Sequence, residues 1–225
     1  MNLRSLYRLA AVIIVLQVLV SLWGFAQVGL TATVPIHWNA AGEPNGYAPS
    51  WLGFLVTPVI TAAMVALFAI IPRIEPRREN LLKSGSAYVT VALATLVLML
   101  LVHVAAVAAG AGYDVPIAPI VGGGVGLLFV ALGNVMTTVR SNFMFGVRTP
   151  WTLTSDLAWD KTHRLIGRLW VVGGVAMFLS SLLGRTDVLV AVILVFVIGS
   201  MVLAFGYSYS VWRSDPSRRS LGGDG

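Results

Sequence analysis

Long apolar runs separated by short polar segments dominate the sequence. Six of these runs reach the length of about 20 mostly apolar residues that a helix needs to cross a bilayer. They are residues 6–29, 51–71, 86–110, 116–139, 165–183 and 188–209. Six such runs in one short chain leave no polar remainder to shelter them from water. The pattern therefore predicts an all-α fold, a polytopic membrane bundle of six transmembrane helices.

The composition supports a lipid environment. Of the 225 residues, 57% are hydrophobic and only 11% are charged, whereas a soluble domain carries about 25% charged residues. The first apolar run exceeds the apolar core of a cleaved signal, which spans about 7–15 residues, so we expect a retained span. The chain has no cysteine, which excludes disulfides, thiolate metal sites and a cysteine nucleophile.

The distribution of basic residues predicts the orientation. Arg and Lys occur before the first span, in the second and fourth connections and after the sixth span. The first and third connections contain none, and the fifth contains only Arg185. Because basic loops stay in the cytoplasm, we expect both termini inside the cell (N-in/C-in). The same bias accounts for the net charge of +6, so we expect no direct nucleic-acid binding.

The first connection, expected outside the cell, is rich in residues that suit ligand binding. A titratable ring, an amphipathic ring and an amide follow one another there, and Pro44-Asn45-Gly46 is a turn signal. The candidate ligand-binding residues are His37, Trp38, Asn39, Gly46 and Tyr47. The alternative interpretation is a rigid loop whose aromatic rings are anchored among lipid headgroups.

The fourth connection, expected inside the cell, combines Arg, Trp, His and Thr side chains. Pro150 disfavours helix, and Thr152, Thr154 or Ser155 can cap a short helix that continues into the fifth span. Such residues suit docking of a partner protein, and the alternative is a membrane-surface connector whose arginines bind lipid phosphates. The candidate docking residues are Arg140, Asn142, Arg148, Thr149, Trp151, Thr152, Trp159, His163 and Arg164.

The sequence indicates no catalytic residue, cofactor or metal. Ser155, Asp156 and His163 match no acyl-transfer motif. His37 and His163 fall on opposite sides of the predicted membrane, so no cluster of three metal ligands forms. We therefore expect a protein that is not an enzyme.

A few polar and small residues lie inside the predicted spans. His103, Gln17 and Asn134 are candidates for hydrogen bonds between helices, and an intramembrane ionisable group such as His103 is also a functional candidate. The glycines between 122 and 126 include a Gly-x-x-x-Gly pair, which indicates a close helix crossing.

Two segments resemble known bacterial membrane domains. The stretch from Pro35 to Gly46 is similar to a small membrane domain with the motif P-x-H-W-N-x-x-G-x-P-x-G. The later part of the chain resembles the SdpI family. The residues that carry this second resemblance are Gly133-Asn134, Arg140, Asn142, Gly146-Val-Arg-Thr-Pro-Trp-Thr-Leu153, Trp159, Thr162-His-Arg164 and Gly167.

The resemblance implies a multi-pass protein of the bacterial plasma membrane. The family's namesake protects its producer against a secreted toxin and recruits a repressor to the membrane. We therefore expect a peptide toxin outside and a cytoplasmic repressor-like protein inside as partners, besides the lipid bilayer. A small transporter or lipid-handling protein and a membrane enzyme are the alternatives.

The expected organisation has three parts. Residues 1–72 form an N-terminal membrane domain with two spans and the outer loop. Residues 73–212 form an SdpI-like domain with four spans and the inner loop, and residues 213–225 form a disordered cytoplasmic tail.

Overall fold

A computed structural model describes residues 3–218 as a bundle of long helices with a small β-hairpin. The elements in chain order are α1 (Leu3–Val28), β1 (Thr33–Trp38), β2 (Pro44–Pro49), α2 (Ser50–Ile74), α3 (Arg78–Lys83), α4 (Gly85–Gly110), α5 (Ile117–Met136), α6 (Pro150–Thr154), α7 (Asp156–Ser181) and α8 (Thr186–Arg213). The last seven residues of the predicted tail, 219–225, lie outside the described residues.

Six of these helices are long and apolar enough to cross a membrane: α1, α2, α4, α5, α7 and α8. The prediction of a six-span helical membrane protein is thereby confirmed. Helix α7 begins at Asp156, before the apolar run at 165, because the Ser155 hydroxyl caps its first turn by accepting the Ala158 N–H at 2.9 Å. The predicted cap at Ser155 is therefore also confirmed.

The β-hairpin and the α5–α7 connection lie at opposite ends of the bundle. The hairpin joins the end of α1 to the start of α2 and adjoins the starts of α5 and α8. Residues 137–155, which we call the loop segment, join the end of α5 to the start of α7. We call these ends the hairpin end and the loop end, and their orientation relative to the cytoplasm stays a prediction.

The hairpin turn lies earlier in the chain than expected. The Asn39 N–H donates to the Glu43 carbonyl at 2.9 Å, and Gly42 supplies a positive φ of 84°. Residues 44–46, the predicted turn, instead begin β2, so that prediction is wrong. The reason is the Asn39 side chain, whose oxygen accepts the N–H groups of Ala41 (2.9 Å) and Glu43 (3.0 Å) and so closes the turn locally.

Helices α5 and α7 approach each other through glycines. A Cβ added at Gly133 would lie 2.6 Å from the Gly167 carbonyl oxygen, and Gly126 faces Gly174 of α7 in the same way. Backbone atoms can come this close only where side chains are absent. The close crossing predicted for the 122–126 glycines is confirmed, and α7 is the partner at Gly126.

Buried polar side chains connect the first three spans. Gln17 Nε2 donates to Thr61 Oγ1 at 3.0 Å, and Ser21 Oγ donates to the Phe54 carbonyl at 2.7 Å. His103 Nε2 lies 2.9 Å from the Gln17 carbonyl oxygen, which joins α4 to α1. Asn134 differs from the expectation of an interhelical bond. Its side chain is exposed on α5 and forms no hydrogen bond within residues 3–218.

Candidate binding sites at the two ends of the bundle

The hairpin presents two side chains from its pair of strands. His37 is exposed on β1, and its Nδ1 lies 2.6 Å from Asn45 Oδ1 across the turn. This bond fixes the ring and leaves Nε2 without a partner among the described residues. Tyr47 on β2 keeps 59% of its surface exposed. Both rings are thus held on a short hairpin and remain accessible.

Trp38 borders a cavity between the hairpin and the helices beneath it. The cavity has a volume of about 470 Å³ and a mostly apolar lining. Its walls come from the tip of β1 and from α4, α5 and α8, with Val102, Val121 and Leu189 among the contributing residues. Such a cavity suits an apolar side chain or an acyl chain.

The other two predicted hairpin residues shape the hairpin. The Asn39 side chain is committed to the turn, since its amide nitrogen also donates to Glu43 Oε2 at 3.0 Å. Gly46 pairs with His37 across the two strands, and a Cβ at Gly46 would lie 2.9 Å from the His37 Cβ. These two residues therefore set the shape of the hairpin that carries His37.

At the loop end, the predicted docking residues separate into buried and accessible groups. The buried ones are Asn142, Thr149, Thr152, Trp159 and His163. The accessible ones are Arg140, Arg148 and Arg164, which are exposed, and Trp151, which is half-buried. The buried group stabilises the loop segment, as the hydrogen bonds of its members make clear.

His163 ties the loop segment to α7. Its Nε2 accepts the Val147 N–H at 3.0 Å, and its Nδ1 donates to the Trp159 carbonyl at 2.8 Å. Because one nitrogen accepts and the other donates, the ring is neutral. The ring stacks on the Trp159 indole with centroids 4.0 Å apart, and that indole donates to the Val139 carbonyl at 2.8 Å.

Asn142 and the two threonines complete the folding of the loop segment. Asn142 Oδ1 accepts the N–H groups of Met144 and Phe145, each at 2.9 Å. The Thr149 hydroxyl caps α6 by accepting the Thr152 N–H at 3.2 Å, and the Thr149 N–H donates to the Thr152 hydroxyl oxygen at 2.9 Å. This reciprocal capping box fixes the entry into α6.

Two charged residues that sequence reasoning missed anchor the loop segment to α2 and α3. Glu75 is buried, and its carboxylate accepts the Arg77 N–H at 2.8 Å and the Phe143 N–H at 3.1 Å. The Arg77 guanidinium donates to the Leu153 carbonyl at 2.9 Å and bonds the Ser141 hydroxyl. The sequence offered one indication that these residues matter: Glu75 is an acidic residue among the arginines of the short connection between the second and third spans.

The first residues of the predicted tail are also anchored. Ser155, the cap of α7, donates its hydroxyl proton to Asp215 at 2.5 Å. This bond lowers the pKa of the Asp215 carboxyl below its usual value, with further help from Ser217. Sequence reasoning did not anticipate the contact, because it joins residues 60 positions apart.

The structure is that of a multi-pass helical membrane protein. It has six apolar spans, a hairpin at one end and a tightly bonded loop segment at the other. Comparison with known proteins shows what the chain is similar to. Residues 138–210 match the model of the SdpI/YfhL protein family, which confirms the resemblance seen in the sequence. Residues 12–62 match a domain of unknown function, DUF1648.

A curated relative covers most of the chain. The immunity protein SdpI of Bacillus subtilis (strain 168) is 26% identical over 186 residues, which are 82% of this chain and 86% of that protein. No solved structure matches the chain significantly. The chain is thus an SdpI-like, multi-pass bacterial membrane protein.

Proposed function

We propose that this protein is an SdpI-like immunity protein that protects its cell by binding a membrane-active peptide toxin, without catalysing a reaction. The similarity to an immunity protein along 82% of the chain supports the general role. The observation that carries the site is the apolar cavity of about 470 Å³ directly beneath the hairpin. A peptide that acts on membranes must expose apolar side chains, which such a cavity can accept.

The hairpin supplies the polar part of this proposed site. Tyr47 and the free Nε2 of His37 are exposed beside the turn, and Trp38 forms one wall of the cavity. Aromatic rings contribute large contact areas at low entropic cost, which favours peptide recognition. In the predicted orientation the hairpin is outside the cell, where a secreted toxin arrives.

The loop end is proposed to dock a cytoplasmic protein. The accessible candidates for it are Arg140, Arg148 and Arg164, which are exposed, and Trp151, which is half-buried. Arg148 is exposed although it donates to the Phe143 carbonyl at 2.5 Å. Signalling between the two ends requires two conformations with different affinities for the outer ligand and the inner partner.

Survival of sensitive cells tests the immunity proposal. The chain is expressed in Bacillus subtilis lacking its own SdpI, and these cells are mixed with wild-type cells of that species. We expect more of these cells to survive than cells with an empty vector. Equal survival with and without the protein, at a membrane level verified by immunoblot, would contradict the proposal.

Paired variants test the hairpin site. Trp38→Ala and Tyr47→Ala should lower survival toward that of the empty vector. Tyr113→Ala is the matched control, since Tyr113 is 57% exposed at the same end but lies outside the hairpin. An identical loss in the control would show that any exposed aromatic ring at this end matters, and the hairpin site would be wrong.

A further inference from the structure

A second cavity, of about 380 Å³, opens at the loop end and is mainly polar. It lies between the end of α3, the end of α5 and the first turns of α7. Its lining residues are Lys83, Thr137, Thr138, Val139, Arg140, Asp160, His163 and Arg164. The proposed toxin site at the hairpin end does not use this cavity, whereas Arg140 and Arg164 are shared with the proposed docking surface.

Three cations from three separate parts of the chain border the cavity. The side chains of Lys83, Arg140 and Arg164 form no ion pair or hydrogen bond within the described range. Asp160 is the single acid of the lining, and it too has no such partner there. Cations gathered without enough anions repel one another, so the cavity favours an added negative charge.

The threonines at the end of α5 provide hydroxyl groups. Thr138 donates to the Val135 carbonyl at 2.7 Å and keeps its acceptor capacity, whereas the Thr137 hydroxyl has no partner in residues 3–218. The N–H groups of Thr138 and Val139 bond the carbonyls of Val135 (2.9 Å) and Met136 (3.3 Å). These bonds reduce the negative potential of the helix end beside the cavity.

His163 contributes to the wall without contributing charge. Both ring nitrogens are already bonded, to the Val147 N–H and to the Trp159 carbonyl. The groups available to bind a ligand are therefore the lysine, the two arginines, the threonine hydroxyls and Asp160.

Exposed apolar side chains accompany the charged lining residues along α3 and α7. Leu82 precedes Lys83 and is 43% exposed, and Leu157 is 38% exposed. Helical spacing puts Leu157, Asp160 and Arg164 on one face of α7. An apolar side chain next to cations is the arrangement found where a protein surface meets the acyl chains and phosphates of a bilayer.

We infer that this cavity binds a phosphate group, that of an anionic phospholipid headgroup such as phosphatidylglycerol. Lys83, Arg140 and Arg164 donate charge-assisted hydrogen bonds to the phosphate oxygens. The Thr137 hydroxyl adds a neutral donor. Asp160 accepts a hydrogen bond from a hydroxyl of the glycerol headgroup.

Thermal unfolding of the full-length protein in detergent tests this inference. Melting temperature is followed during titration with dioctanoyl-phosphatidylglycerol, dioctanoyl-phosphatidylcholine or sodium phosphate. The site variant is Arg140→Gln with Arg164→Gln. The matched control is Lys161→Gln with Arg168→Gln, which removes the same charge from exposed positions outside the lining.

We expect phosphatidylglycerol to stabilise the wild type and the control pair equally, and to bind the site pair about tenfold or more weakly. Lys83→Gln should weaken binding in the same direction and serves as the second variant if the site pair does not fold. Asp160→Asn should strengthen binding of sodium phosphate, because it removes the carboxylate that repels the anion.

The titrations also separate the two sources of phosphate. Stabilisation by phosphatidylglycerol that excess sodium phosphate does not displace supports a lipid headgroup. Stabilisation by sodium phosphate alone, lost in the site pair, supports a soluble phosphate compound at the same residues. Equal weakening in the site and control pairs, or equal stabilisation by phosphatidylcholine, would overturn the inference.

Discussion

The Nε2 atom of His163 accepts a hydrogen bond from the backbone N–H of Val147, 3.0 Å away. This bond joins the first turns of α7 to the centre of the loop segment. Gly146 makes the approach possible, since its φ of 110° is unfavourable for other residues and a Cβ there would lie 2.6 Å from Nε2. The conformation of the loop segment therefore depends on a neutral imidazole at position 163.

Replacement of His163 by alanine should destabilise the protein. The variant leaves the part-buried Val147 N–H without its acceptor and removes a buried ring that stacks on Trp159, and such losses together cost about 1–3 kcal/mol. We expect a lower free energy of unfolding and faster proteolysis at Arg148, measured in detergent by tryptophan fluorescence and limited trypsin digestion. Lys161→Ala, an exposed change on the same helix, is the control and should leave both measurements unchanged.

Addition of a methyl group at Gly133 should separate α5 from α7. The new Cβ would meet the Gly167 carbonyl oxygen at 2.6 Å and the Val171 nitrogen at 2.8 Å, and backbone atoms cannot move aside as a side chain does. Gly133→Ala should therefore cost about 1–3 kcal/mol of unfolding free energy. Size-exclusion chromatography of the solubilised protein would detect the loss as aggregation.

The matched control for this change is Gly199→Ala in α8. A Cβ at Gly199 has nothing within 4 Å, and alanine is favoured over glycine in a helix. We expect a monodisperse protein of equal or higher stability. Equal tolerance of both substitutions would argue against a glycine-dependent contact between α5 and α7.

Removal of the His103 imidazole should weaken the contact of α4 with α1. His103→Leu deletes the hydrogen bond between Nε2 and the Gln17 carbonyl. Interhelical hydrogen bonds in membranes contribute about 0.6–2 kcal/mol, so unfolding in dodecyl sulfate should occur at a lower detergent fraction. Thr95→Val is the control, because within residues 3–218 the Thr95 hydroxyl bonds only the Val91 carbonyl of its own helix. An equal shift in both variants would contradict a specific role for His103.

The absence of cysteine permits a direct test of orientation. Single cysteines at Tyr47 and Arg148, both exposed positions, are labelled in intact cells with an impermeant maleimide. We expect labelling of Tyr47→Cys only, with Arg148→Cys reacting after the membrane is permeabilised, because basic connections stay in the cytoplasm. Labelling of both cysteines in intact cells would reject the N-in/C-in topology.

The six spans were predictable because each depends on local composition. A run of about 20 apolar residues marks a span without knowledge of its neighbours. The cap at Ser155 and the close crossing at the α5 glycines could be predicted for the same reason, because each depends on a few neighbouring positions. The glycine positions alone did not identify α7 as the helix that α5 contacts.

Contacts between distant residues could not be predicted from one sequence. Glu75 is typical, because nothing near it in the chain indicates that its carboxylate accepts the Phe143 N–H. The predicted position of the hairpin turn was wrong because the Asn39 side chain closes a turn earlier in the chain than Pro44-Asn45-Gly46. The sequence did not show which of the proposed docking residues are buried. His163 and Arg164 were therefore both predicted to contact a partner, although only Arg164 is accessible.

The guanidinium of Arg77 links distant parts of the chain at the loop end. It bonds the Ser141 hydroxyl, 64 positions along the chain, and the Leu153 carbonyl, 76 positions along, and so joins the α2–α3 connection to the loop segment. Displacement of this connection relative to the loop segment would break these bonds. The connection that follows the second span is therefore fastened directly to the region that matches SdpI/YfhL, although the two lie far apart in the chain.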